Sequence, residues 1–491
     1  MKIEKILLIA PPAFTMRAWR DINPLPPMGL GYLASVAEKS GINVKIVDCL
    51  MQGWDHEEDE DEHLLRVGLP DERIREIIRE FKPDMVGINC QFSRQYRIYH
   101  QMFELVKGVD PHIVVVAGGP HASVCPEEVL ADANCDYLLV GEAEESFREL
   151  YEALQNDSDV GAIDGLGWKV GGQLRINPKL KLIMNLDSIS FPAYHLMELD
   201  KYFGLEASHG TRHKSRFSAI ITSRGCPAKC TFCSAHQVWG KKYRMRSVEN
   251  VLEEMRLLKE TYGIEELLFE DDNVTADARR AKLLFSRMIE EEFNFVWDTP
   301  NGAGVWSMDE EMIDLMKKSG CVKLNFPVES GSQRVLDKII RKPLDLGKVK
   351  RLIQHCQKIG LEHSMFLVMG MPGETIDDMW KSFRFAAECG CFTPHISVAT
   401  PYPGTQLYDD CVRNGYFFKP FSLDDLFIRS YLIRTPEWDE NDLKKMLFKG
   451  MLYIEFRNAL ANPARTLKRI VRLIFQPTRG INFVKSIFNK S

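Results

Sequence analysis

Three cysteines stand in one short run, Cys226-Pro-Ala-Lys-Cys230-Thr-Phe-Cys233, and no fourth follows at matching spacing. Thiolates ligate iron–sulfur clusters, and a closed electron-transfer cluster takes four of them. Three would hold three irons of a [4Fe–4S] cluster and leave the fourth iron an open coordination position. Catalytic metal sites keep room for a substrate in that way. The competing reading is a structural zinc site completed by His236. The spacing argues against it: zinc loops pair C-x2-C knuckles, whereas here the first gap is three residues and the second two.

The elements that must position these cysteines are legible around them. An apolar strand over 218–222 ends directly before the run, and strand patterns recur over 266–269, 296–298, 322–327, 364–368 and 396–399. Most end in polar or glycine-bearing tips, among them Glu270-Asp271-Asp272-Asn273, Glu329-Ser330-Gly331-Ser332 and Gly370-Met371-Pro372-Gly373-Glu374. Strand–helix units of this kind build α/β barrels, whose catalytic face lies at the carboxyl ends of the strands.

Upstream, strands over 6–9, 44–47, 85–89, 113–117 and 137–140 alternate with helical patterns over 28–40, 71–81, 99–106 and 145–154. That alternation predicts a doubly wound parallel sheet, which binds ligands beyond the strand ends where the strand order switches. Gly118-Gly119-Pro120-His121 leaves the fourth strand without bulky side chains, so backbone can approach a large flat ligand. The acidic run 55–63 reads as a solvated loop. Residues 160–186 read as a hairpin turning at Gly171-Gly172.

The cysteine spacing, with Phe232 just before the last cysteine and the strand tips beyond it, resembles the radical S-adenosylmethionine (SAM) superfamily. The segments Pro26-Pro27-Met28-Gly29-Leu30, Gly118-Gly119-Pro120-His121 and Val140-Gly141-Glu142 resemble the cobalamin-binding domain that precedes many such barrels. These resemblances imply an α/β protein of four parts: a doubly wound, Rossmann-like cobalamin-binding domain over 1–155, a connector over 156–214, a partial (β/α)6 TIM-type radical SAM barrel over 215–410, and a helical C-terminal extension over 411–491. Cys226, Cys230 and Cys233 would hold the [4Fe–4S] cluster. Contacts to SAM are implied for Phe232, for Glu270, Asp271 and Asp272 at its amino group, for Glu329 and Ser330 at its ribose, and for Gly370, Pro372 and Gly373 at its adenine. Gln91, Ser93, Gly118, Gly119, His121, Gly141 and Glu142 are implied as cobalamin contacts. The chain departs from the usual cobalamin motif, Asp-x-His-x-x-Gly, because residues 11–30 contain no histidine. The lower face of cobalt is then not ligated from this loop, and His121 reads as a hydrogen-bonding wall residue. Arg224 balances charge beside the cluster or is a plain surface arginine.

The activity so implied is cobalamin-dependent C-methylation of an unactivated carbon. A reduced cluster cleaves SAM to a 5′-deoxyadenosyl radical, the radical takes hydrogen from substrate, and methylcobalamin supplies the methyl group. The alternatives are a cyclase using the same cofactors, as in anaerobic tetrapyrrole cyclisation, and a non-catalytic iron–sulfur or zinc redox protein.

The bulk properties agree with a globular enzyme. The 491 residues suffice for two or three domains, and a 45% hydrophobic share supplies their cores. A net charge of −6 argues against nucleic acid as partner. Twelve scattered cysteines suggest reduced thiols in the cytoplasm, and the N-terminal apolar run is too short for a signal peptide. Expected partners are a small-molecule or lipid-like substrate and an electron donor such as flavodoxin or ferredoxin. Beyond Glu455 the chain has no acids but many basic residues, with Leu467, Ile470, Val471 and Ile474 at helical spacing. That segment docks on the barrel, binds a partner or makes peripheral membrane contact.

Overall fold

The computed structural model describes residues 2–17, 22–205, 212–426 and 431–463. Its apolar runs become strands of two separate sheets. In the first sheet β1 (Lys5–Ala10), β2 (Asn43–Asp48), β3 (Met85–Asn89), β4 (Val114–Gly118) and β5 (Tyr137–Leu139) are parallel. They lie in the order β2-β1-β3-β4-β5, so the strand order reverses between β1 and β3. Crossover helices cover both faces, including α1 (Met28–Lys39), α2 (Asp71–Phe81), α3 (Tyr96–Val109) and α5 (Glu144–Gln155). Burial on both faces explains why β1 and β4 are nearly continuous apolar runs rather than alternating ones.

The sheet continues past residue 155, where the sequence reading ends the first domain. The hairpin β6 (Leu166–Val170) and β7 (Gln173–Ile176) adds antiparallel to β5. Without it β5 would be a bare edge with unpaired backbone. The acidic run is also more ordered than a solvated loop. Glu57–Asp59 pairs antiparallel with Leu64–Val67, and the buried Arg66 guanidinium donates to Glu58 and Asp71.

The second sheet is all parallel, and its order follows the chain: β8 (Phe217–Ile220), β9 (Glu266–Phe269), β10 (Val296–Asp298), β11 (Cys321–Glu329), β12 (Glu362–Met369) and β13 (His395–Val398). Six strands curl without β13 pairing to β8, which makes the barrel partial. Trp297 anchors its wall, stacked on Phe285 with ring centroids 5.0 Å apart and donating its indole N–H to the Ser319 carbonyl.

The C-terminal helix α8 (Glu440–Ala461) starts with a capping box between Asp439 and Asp442. It packs along α7 (Ile376–Glu388), and Gly450 is required there because a Cβ would lie 2.2 Å from the Phe383 ring. Trp438 and Leu443 lie over Gly370, at the tip of β12. One face of α8 leaves Phe448, Leu452, Phe456 and Leu460 exposed. The basic segment with Leu467, Ile470, Val471 and Ile474 lies outside the described residues. Among the described residues, no helix is long and apolar enough to cross a membrane.

Candidate active site

Cys226, Cys230 and Cys233 follow β8 on a loop whose base is closed by Ser223–Arg224 pairing antiparallel with Arg244–Met245. Gly225 holds φ +80°, and a Cβ there would stand 2.6 Å from the Lys242 carbonyl oxygen. The loop is gripped from the next strand tip. Asp271 accepts from the Thr222 amide at 3.1 Å, the Thr222 hydroxyl at 2.8 Å and the Ser223 hydroxyl at 2.5 Å. Arg280 donates to the Thr222 carbonyl at 3.0 Å from behind.

All three thiols are half-buried. Burial pushes Cys230 up to about 12 and Cys233 up to about 11, with the Lys342 ammonium opposing both. The Ala228 and Ala235 amides lie against Cys226 and Cys233, and the Asn273 amide faces Cys226. Such donors favour thiolate, the ligand form. Among the described residues no three His, Cys, Asp or Glu side chains converge on a single ion position. The donor set, three thiols on one loop with amides directed at two of them, fits the three-cysteine side of a cubane. His236 donates its Nε2–H to the Cys226 carbonyl at 3.0 Å, so that nitrogen is not offered to zinc.

The strand tips divide their duties unevenly. Asp271 is spent inside the loop, as described, and is not presented to the mouth. Asp272 is half-buried beside Cys226 and Cys233, with its Oδ2 buried and without a hydrogen-bond partner. Burial, and then Asp271, push its carboxyl up to about 6, against the Gly225 amide. An acceptor so placed can take an ammonium group. Glu270, half-buried, accepts from the Asn301 amide at 3.1 Å. Glu329 binds the Lys342 ammonium at 2.7 Å. Ser330 is fully buried and turns toward Ser382 on α7, so its hydroxyl does not face the mouth. Gly370 and Met371 donate their amides to Glu374 at 2.9 and 3.1 Å, which stiffens the turn through Pro372 and Gly373. Phe232 packs against the barrel core.

The sheet of the first domain brings its carboxyl edge to the same place. Gln91 and Phe92 stand exposed beyond β3, at the reversal of strand order where such sheets bind ligands. Gly118 would meet nothing within 4 Å if it carried a Cβ, so the space above it is open to a flat group. Gly119, at φ +101°, is instead required by its own chain, since a Cβ would lie 2.7 Å from Asn89 Oδ1. His121 is buried with Nδ1 3.1 Å from Ser93 Oγ and Nε2 3.1 Å from Glu128, leaving neither nitrogen for cobalt.

The two edges are joined directly. Helix α4 (Pro120–Val124), after β4, packs against α6 (Ala235–Trp239), which follows Cys233. Gly141 lies under α6, where a Cβ would approach the Val238 carbonyl to 3.1 Å. Glu142, expected at the corrinoid, has a fully buried carboxylate that binds Arg224 at 3.1 Å and Arg244 at 2.6 and 2.7 Å. Arg224 reaches on to Glu144 at 2.5 Å. Arg224 is therefore a buried interdomain clamp and not a surface arginine, and Glu142 has only its backbone left for a cofactor. Arg244 and Lys342 escaped the sequence reading, because their partners are distant in the chain and no local spacing marks them.

Residues 23–151 match the B12 binding domain family and residues 220–386 the Radical SAM superfamily. Cytidylyl-2-hydroxyethylphosphonate methyltransferase of Streptomyces wedmorensis is 35% identical over 483 residues, 91% of this chain and 89% of that one. The chain belongs to the B12-binding radical SAM methyltransferases. It is an enzyme of SAM, a [4Fe–4S] cluster and cobalamin. The anaerobic magnesium-protoporphyrin IX monomethyl ester cyclase of Rubrivivax gelatinosus is more distant, 24% identical over 78% of this chain and 66% of its own. Two solved structures show the same fold. The radical SAM methyltransferase TsrM of Kitasatospora setae, with tryptophan and a SAM analogue bound, has TM-score 0.67 at 17% identity, over 85% of this chain and 77% of its own. The cobalamin-dependent SAM radical enzyme OxsB has TM-score 0.61 at 16% identity, over 84% and 56%.

Proposed function

We propose that this methyltransferase acts on an unactivated carbon of a small anionic substrate of the nucleotidyl-phosphonate kind, where the β3–β4 edge meets the barrel mouth. The observation that carries the reading is the packing of α4 on α6, which sets the cobalamin edge against the cysteine loop. When bound, the cluster on Cys226, Cys230 and Cys233 supplies the electron that cleaves SAM, and the corrinoid carries the methyl group. The chain's own residues bind and orient. Asp272 accepts the ammonium of the methionine moiety, and the Gly370–Gly373 turn, rigid through Glu374, walls the adenine. Trp438 and Leu443 roof the β12 tip and exclude water. Gly118 and Gly119, with Gln91, border the corrinoid. The electron comes from a one-electron donor of the flavodoxin or ferredoxin kind.

The substrate class is supported by 35% identity along nearly the whole chain to an enzyme named for a cytidylyl phosphonate. The hopanoid C-3 methylase of Methylococcus capsulatus is 25% identical over 78% of this chain. Anaerobic turnover with cytidylyl-2-hydroxyethylphosphonate as probe tests the reading. Equal amounts of methylated product, S-adenosylhomocysteine and 5′-deoxyadenosine are expected. Formation of 5′-deoxyadenosine with no S-adenosylhomocysteine would favour cyclase-type chemistry, and no turnover of this probe would remove the phosphonate assignment.

A further inference from the structure

The segment from the end of β11 to residue 342 is irregular in several independent ways. Glu329 closes the strand at φ +68°, a left-handed conformation that is uncommon for a residue with a side chain. Val335–Ile340 then forms a π-helix, a rare form that recurs at functional sites. Arg341 ends it, again left-handed at φ +61°, and the Lys342 amide returns to the Leu336 carbonyl at 3.0 Å. The result of these contortions is one contact. Lys342 is folded back beneath Glu329, with side chains only 6% and 9% exposed and Nζ 2.7 Å from Oε1.

The cysteine loop is fastened to this same segment. Thr231, between Cys230 and Cys233, donates its amide to the Ile340 carbonyl and its hydroxyl to the Ile339 carbonyl, both at 3.0 Å. Lys342 thus comes to rest beside the loop, and its charge favours the thiolate at each of Cys226, Cys230 and Cys233. A buried cation at that place has a definite consequence. A cubane held by three thiolates is negative, and each electron it accepts from the external donor makes it one charge more negative, with no proton taken up. A fixed positive charge favours the reduced form, and a paired carboxylate offsets part of that effect.

We propose that Lys342 and Glu329 form a charge pair that sets the reduction potential of the cluster, Lys342 raising it and Glu329 restraining it. Lys342 is a positioning residue in this role, acting on the cluster through the field rather than as a ligand. The inference rests on the reading that the three cysteines hold the cluster.

Redox titration of the anaerobically loaded holoenzyme without SAM, followed by electron paramagnetic resonance, tests it. At a fixed poise, Lys342→Met is expected to lower the ratio of reduced to oxidised cluster about tenfold (~59 mV). Glu329→Gln is expected to raise that ratio by a similar factor, and Lys342→Arg to stay near wild type. A merely structural role would not give shifts of opposite sign. Unchanged potentials, or shifts of the same sign, would overturn the proposal. If Lys342→Met fails to hold iron, Glu329→Gln decides alone: an upward shift supports the pair and any other result removes it. Iron and sulfide content of the wild type separately tests the cluster reading.

Discussion

Asp271 and Asp272 are neighbours of one type with opposite duties. Asp271 accepts three hydrogen bonds that shape the start of the cysteine loop, while Asp272 has a buried oxygen with no partner. Charge-assisted hydrogen bonds contribute about 1.5–3 kcal/mol, so Asp272→Asn should weaken SAM binding roughly tenfold or more in equilibrium dialysis, with iron content unchanged. The pH dependence has a definite sign. Asp272 is raised to about 6, and only its carboxylate pairs with an ammonium. Affinity for SAM should rise as pH passes up through about 6, flatten roughly one unit higher, and show no such rise in the Asn variant. The acidic tip was legible in the sequence, but which of its carboxylates stays available was not. That depends on Thr222 and Ser223, which the fold brings in from another strand.

At the scale of elements, the strands and the glycine turns were readable from apolar runs and tip composition, with boundaries within a few residues. The π-helix was not, because nothing in Val335–Ile340 distinguishes it from an ordinary helical turn. The turn after β12 shows what a tip can conceal. Glu374 is fully buried, receives the Gly370 and Met371 amides, and is raised by burial from its ordinary value of 4.5 to about 8, the two amides opposing. The folded state therefore holds a proton that the unfolded chain gives up at lower pH. The stability this lends is complete below about pH 4.5 and is lost progressively up to about pH 8. Glu374→Gln, neutral and of the same shape, should keep the turn and flatten that part of the profile in thermal melts. Glu374→Ala leaves two amides unpaired and should cost about 1–3 kcal/mol for each buried donor so exposed.

For the whole molecule, the decisive feature is the joint between the two sheets. The elements of each sheet were legible, since periodicity and tips are local, although the hairpin that completes the first sheet was assigned to the connector. The joint was not, because Glu142 sits in a motif that resembles a cofactor edge while its carboxylate is taken by arginines from the barrel. Removing one partner from a buried pair costs about 3–5 kcal/mol. Arg224→Met should lower the melting temperature and loosen hydrogen-exchange protection in α4 and α6, while each domain still binds its own cofactor. The most direct test of the account is the magnetic interaction between the two centres, read by electron paramagnetic resonance on holoenzyme carrying reduced cluster and cob(II)alamin. The account predicts that the cob(II)alamin signal relaxes faster and broadens when the cluster is reduced. A cobalt signal indifferent to the state of the cluster would contradict it.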